Sequence, residues 1–140
     1  MILLDTNVIS ELMRAEPAQT VLDWFGQYDA VDLFISAVTE AELRTGVAIL
    51  PEGQRRDRLQ LAIDAMIELD FQGRVLSFDS PAAKAYAEIA PQRRAAGRPI
   101  AEADCQIAAI ARATNAPIAT RNVKDFDGCG VRVINPWNAE

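Results

Sequence analysis

Histidine is absent from the 140 residues of this chain. That excludes Ser-His triads, Cys-His pairs, histidine acid–base catalysis and most zinc enzymes. Cysteine is almost absent too. Cys105 and Cys129 are the only two, and without histidines nearby they make neither a zinc site nor a disulfide framework, which points to a reducing cytoplasm. Long apolar runs are missing: Met1-Ile2-Leu3-Leu4 meets Asp5 at once, too short for a signal peptide or a membrane span. A soluble, cytoplasmic chain without membrane contact is expected. Positive charge is also scarce, with 14 Lys and Arg against 20 Asp and Glu, a net charge of −6. This balance does not suit a general nucleic-acid coat protein, because phosphate binding favours basic surfaces. Lys84 and Lys124 are the only lysines. The bias to Arg, the better fork for phosphate, is equally common in GC-rich coding sequence and decides nothing.

What is present suits one domain spanning residues 1–140, half of them hydrophobic. Ile2–Leu4 reads as a buried strand, and Asp5-Thr6-Asn7 as a helix start, with Val8, Ile9 and Leu12 at helical spacing up to Pro17. A second helix is expected from Pro17 to Tyr28. Leu33-Phe34-Ile35 is the next strand, and Ser36 begins a helix through Leu50. Pro51 opens a long amphipathic helix reaching Leu69, and Val75–Phe78 is the third strand. Ser80-Pro81 starts a helix that Pro91 should kink or interrupt. Gly97-Arg98-Pro99 breaks the chain before a helix from Ile100 to about Thr114. Pro117–Thr120 and Val131–Ile134 complete the strands, and no repeat, low-complexity tract or linker intervenes. Alternating strands and helices predict an α/β fold, a mostly parallel sheet of about five strands flanked by helices. In such folds ligands gather beyond the carboxyl ends of the strands. Those positions here are Asp5, Ser36, Asp79 and the Thr120–Asp125 segment.

Acids stand out in a chain without histidine. Asp5 ends a strand and could serve as a helix cap, a ligand or both. Glu42 shares a helical side with Val38, Ala41, Thr45 and Ile49. A carboxylate in an apolar stripe is costly unless paired or metal-bound. Glu40 reads as an ordinary first-turn acid. Asp104 repeats the pattern, with Ala101, Ile107, Ala108 and Ala111 around it; Glu102 points elsewhere. Thr120-Arg121-Asn122-Val123-Lys124-Asp125-Phe126 is either a polar turn or a set of oxygen ligands and water-positioning groups at a strand end. Acids from separate segments meeting at one sheet edge would repel. At about 5 Å and an effective dielectric near 20, each pair costs roughly 3 kcal/mol. The metal-free site should therefore take up a proton or lose stability near neutral pH, and a divalent ion would relieve it while activating water toward phosphate.

Leu-Leu-Asp5-Thr6-Asn7-Val-Ile-Ser, Ala41-Glu42-Leu43-Arg44-x-Gly46, Ala103-Asp104-x-x-Ile107-Ala108 and Thr120-Arg121-Asn122-x-x-Asp125-Phe126 occur in order, before a closing Ile134-Asn135-Pro136-Trp137. Together they resemble a PIN-domain toxin of the VapC type, in its FitB-like branch, over the whole chain. The resemblance implies a Mg²⁺-dependent endoribonuclease, with Mn²⁺ as a substitute, and the toxin half of a type II toxin–antitoxin pair. It implies a homodimer bound by a cognate antitoxin, through which alone it would meet operator DNA. Apolar residues on the helices between Val21 and Leu69 fit such a dimer. Asp5, Glu42 and Asp104 match the regular metal-site acids. Relatives differ at the fourth position, and we assign it to Asp125, with Asn122 and Thr120 in support. RNA hydrolysis would leave a 5′-phosphate and a 3′-hydroxyl. Arg44, Arg121 and Lys124 lie near the motifs and are expected to contact the RNA backbone.

Other acid-bearing α/β classes fit less well. A phosphoacceptor receiver needs paired acids after the first strand, and a DxDxT phosphatase needs a second Asp where Asn7 stands. A catalytically silent PIN-like module that binds RNA or protein remains the alternative, although none of the four motifs is lost.

Overall fold

The computed structural model describes residues 1–138. Strand β1 (Ile2–Leu4) is followed by helices α1 (Thr6–Leu12) and α2 (Gln19–Phe25). Then come β2 (Leu33–Ser36), α3 (Ala37–Ala48) and α4 (Gln54–Ala65), the last prolonged by a π-helical turn over Met66–Asp70. Strand β3 (Val75–Leu76), α5 (Ser80–Ala95), α6 (Glu102–Ala113), β4 (Ile118–Ala119) and β5 (Val133–Ile134) complete the order. All pairings are parallel, in the order β3-β2-β1-β4-β5. The chain builds outward from β1 through β2 to β3, then crosses to the other side for β4 and β5. The β1–β4 boundary is thus the place where winding reverses, and it is there that such sheets leave a crevice.

Strand alternation divides the core into two layers, because successive side chains point to opposite faces. Leu3 and Ile118 join the cluster under α5 and α6, with Ile89, Ile107 and Ile110. Ile2, Leu4, Leu33, Ile35 and Ala119 join the opposite cluster with Val8, Trp24, Leu43 and Ile63 from α1 to α4. No helix among the described residues is long and apolar enough to cross a membrane.

Local sequence accounts for most boundaries. Asp5 caps α1, its carboxylate accepting from the Thr6 N–H at 2.8 Å. Ser36 caps α3 through the Thr39 N–H at 3.0 Å, and Asp79 caps α5 through Ala82 N–H at 3.1 Å. Several expectations need correction. Pro91 does not interrupt α5, which continues to Ala95. It lies on the exposed side, opposite the buried Ala82, Ala85, Ile89 and Arg93, so water can take the place of the bond its missing N–H would have made. The α4 helix begins at Gln54 rather than Pro51, and β3, β4 and β5 are two residues each. Finally, Glu42 is not set in a buried stripe. Helix α3 buries Thr39, Leu43 and Val47, whereas Glu42, Ala41, Thr45 and Ile49 face solvent. Packing against α4 and the sheet selected the other face.

Candidate active site

Asp5 follows β1 directly and Thr120 follows β4, so the winding reversal brings together two residues 115 positions apart. Asp5 is buried, only 4 % exposed. Its Oδ2 accepts from the Thr120 hydroxyl at 2.7 Å and from Asn7 Nδ2 at 3.3 Å. The fully buried Thr120 hydroxyl in turn accepts from Asn7 Nδ2 at 3.2 Å and from the Asn122 N–H at 3.0 Å. Thr120 therefore has its donor and acceptor capacity spent on fixing Asp5 and the turn that follows β4. Burial raises the Asp5 carboxyl above its ordinary value; the Thr120 and Thr6 hydrogen bonds oppose this, and the charges of Glu42 and Asp125 add to it.

Glu42 enters from α3. Its Oε1 accepts from the Thr6 hydroxyl at 2.6 Å, so the first turn of α1 holds Asp5 through a backbone N–H and Glu42 through a side chain. Asp104 enters from the first turn of α6, beside buried Ile107, Ala108 and Ala111. No side-chain hydrogen bond among the described residues reaches it. Its carboxyl is pushed up to about 6, first by burial and then by Asp5, Asp125 and Glu42, with Arg93 opposing. Repulsion among four acids from four segments is therefore present in the folded chain.

Asp5, Glu42 and Asp104 line one open cavity of about 470 Å³, together with Asn7, Arg121 and Asn122. Asp125 lies in the 3-10 turn Val123–Phe126. It adds its charge to Asp5 and Asp104 but does not line that cavity. Arg44 is not at the cavity either: it pairs with Glu40 at 2.8 Å and Asp64 at 2.7 Å. Lys124 is exposed on the same turn as Asp125 and stands outside the lining.

Several lining residues carried no role in the sequence reading. Thr6, Ser10, Glu11, Arg14 and Trp137 all face the cavity. The spacing of residues 7, 10, 11 and 14 after a strand-end acid was a usable signal, since it marks one side of a helix. Glu11 differs from the other acids, because it already accepts from the Ala18 N–H at 2.9 Å and pairs with Arg14 at 3.1 Å. Thr6, Ser10, Arg14 and Glu42 also line an adjoining groove of about 860 Å³, in which Arg55 and Arg58 of α4 stand.

The donors suit a hard divalent cation. Every candidate is an oxygen, and the acids repel in its absence. Among the described residues no three Asp, Glu, His or Cys side chains close on a single point. Mg²⁺ does not require that, since it commonly binds through one or two carboxylates and keeps several waters.

Residues 2–128 match the PIN domain family. The chain is 44 % identical to the VapC ribonuclease Y4jK of Sinorhizobium fredii, over 98 % of each chain. It is 43 % identical to Toxin FitB of Neisseria gonorrhoeae, over 99 % of each. Its fold superimposes on a chain of the FitAB complex bound to the IR36 DNA fragment with a TM-score of 0.94 at 42 % identity, covering 100 % of this chain and 98 % of that one.

Proposed function

This chain belongs to the PIN-domain family, and from that premise we propose that it is the toxin of a VapBC/FitAB-type toxin–antitoxin pair, a metal-dependent endoribonuclease. One observation carries the reading: Asp5, Glu42 and Asp104, from three separate segments, face one open cavity at the winding reversal, with Asp104 raised to about 6. Likeness to a VapC ribonuclease and to FitB over the whole chain supports it.

Asp5, Glu42 and Asp104 would hold Mg²⁺, or Mn²⁺ in its place, with Asp125 adding charge nearby. The ion would supply Lewis-acid charge to the phosphate and make water acidic enough to attack it near neutral pH. The protein's own groups do the positioning. Thr120 and the Thr6 N–H fix the two oxygens of Asp5, the Thr6 hydroxyl aims Glu42, and Asn7 ties Asp5 to the Thr120–Asn122 turn. Asn122 is available at the cavity wall to orient water. The groove bearing Arg55 and Arg58 continues from the acids and offers an RNA strand a cationic path.

The partner we propose is a cognate antitoxin protein, through which operator DNA is met, in keeping with the DNA-bound FitAB relative. A homodimer is proposed as well. Ile49 just after α3, Leu61 on α4 and Leu69 in the following turn are 69–78 % exposed, and a small domain gains by covering such surface. The deciding experiment is cleavage of single-stranded RNA by the purified chain with Mg²⁺, its loss in EDTA, and its loss in Asp5→Asn. RNA binding without cleavage at any metal concentration would favour the silent module.

A further inference from the structure

Part of the cavity wall is cationic and aromatic rather than acidic. Arg121 and Trp137 line it together with the acids, and the guanidinium carbon of Arg121 lies 5.1 Å from the centre of the Trp137 ring. Trp137 is the one aromatic residue in that lining. Both members are held from behind. The Trp137 N–H donates to Asn135 Oδ1 at 3.0 Å, the Asn138 N–H donates to the Asn135 carbonyl at 3.1 Å, and the indole packs against the β1–α4 core layer. The Arg121 N–H donates to Asn7 Oδ1 at 3.3 Å, which fixes its backbone to the residue that also holds Asp5.

The charge of Arg121 acts on Glu11 only at a distance. Arg14 is tied to Glu11, and Arg44 to Glu40 and Asp64, but the Arg121 guanidinium makes no ion pair among the described residues. An arginine lying over an indole offers a cationic face and free N–H donors. Those are the two features that bind an unpaired nucleotide, whose base stacks on aromatic rings or guanidinium planes and whose phosphate accepts hydrogen bonds. A base within a duplex has both faces covered by its neighbours and cannot use such a surface.

We propose that Arg121 and Trp137 form a stacking platform for one unpaired base of the RNA, in a nucleotide adjoining the scissile phosphate; this rests on the ribonuclease reading above. The base lies against the guanidinium plane that the indole supports. Because every base has a π face, the platform selects single-stranded RNA and fixes which linkage reaches the acids, rather than naming a base.

The test is steady-state cleavage of a short single-stranded RNA in Mg²⁺, and of a series carrying one abasic nucleotide at each position around the cut. Arg121→Ala and Trp137→Ala should each raise KM about tenfold with a much smaller change in kcat, the scale of losing one stacked base. Trp137→Phe, which keeps a flat ring in the core layer, should retain most of the wild-type KM. One abasic position should cost wild type about tenfold in KM and cost the Trp137→Ala and Arg121→Ala proteins nothing further. Merely loosened packing would not produce that position-specific coupling. Unchanged KM in both alanine variants, or the same abasic profile in all proteins, would overturn the platform while leaving the nuclease intact. A wild type that cleaves no RNA with Mg²⁺ would remove the ribonuclease reading and the platform with it.

Discussion

Two buried charged centres meet the segment between Thr120 and Cys129, and they are built on opposite terms. Arg93 of α5 is 7 % exposed. Its Nε donates to the Arg98 carbonyl at 2.7 Å, and one terminal nitrogen donates to the carbonyls of Asp125 at 2.9 Å and Asp127 at 2.8 Å. The same nitrogen reaches Cys129 Sγ at 3.5 Å. Asp5, held by Thr120 at the start of that segment, has its hydrogen bonds but no cation paired with it among the described residues, and two further acids, Glu42 and Asp125, act on both it and Asp104. A buried charge is tolerated when partners surround it, and is costly when neighbours share its sign. The cation is therefore complete in the protein alone and holds the Asp125 turn in place. The acids are instead set against one another, the pattern expected of the site proposed above rather than of a brace.

The largest effect should come from the acidic centre. Asp5→Asn and Asp104→Asn should each lower RNA cleavage by more than the roughly ten- to hundred-fold that losing an outer-shell partner costs. Single-turnover cleavage of a labelled RNA measures it, and near-wild-type rates in both variants would break the contrast at its acidic end.

Next is the complete centre. Arg93→Met removes the guanidinium donors from three carbonyls, each worth about 1–3 kcal/mol when buried, so at least about 3 kcal/mol of stability should be lost. Urea unfolding should show this loss with and without Mg²⁺. A variant as stable as wild type would mean that water replaces the guanidinium at no cost.

Smaller, and opposite in sign, is the response of the metal-free acids. Asp104 is raised to about 6 from 3.8, so the folded chain binds this proton more tightly than the unfolded one. Its contribution to stability is thus greatest at acid pH, below the unfolded value, and is lost as pH rises through about 6. Without metal, wild type should melt progressively lower as pH increases over that window, whereas Asp104→Asn should have a flatter profile and be at least as stable near neutrality. Adding Mg²⁺ should stabilise wild type more above pH 6 than below it, and Asp104→Asn less than wild type. Equal Mg²⁺ shifts in both proteins, with the variant melting well below wild type in EDTA, would make Asp104 a structural acid.

The smallest change should come from Asp127, whose side chain pairs with Arg98 at 3.1 Å on the surface. Asp127→Asn should cost no more than about 1 kcal/mol and leave cleavage unaltered, because only its carbonyl serves Arg93. Paired melts and cleavage assays would separate the two roles.

Much of this was legible along the chain. The Asp5-Thr6-Asn7 start after an apolar run marked both a strand end and a cap. Asp104 was read among Ala101, Ile107, Ala108 and Ala111; the last three are buried beside it, while Ala101 at the helix start is exposed. Glu42 was selected on a stripe that proved exposed; it faces the cavity because Thr6 meets it across α1 and α3. Pro91 was weighed only as a backbone defect, whereas its exposed position decided the outcome. Arg93 left no mark, since a buried arginine reads like a surface one, and Trp137 was read only as part of the closing motif, with no sign that it faces the cavity.

By itself the sequence determined the alternation of strands and helices, the caps, the two-sided pleat of β1 and an all-oxygen chemistry without histidine. These depend on backbone preferences and side-chain types that act over a few residues. Only the tertiary structure decided that β4 lies beside β1, that Thr120 therefore reaches Asp5, and that Arg93 spends its charge on carbonyls more than thirty residues away. Those contacts exist because the apolar faces of all the helices must be buried against one sheet at once. No local window contains that sum.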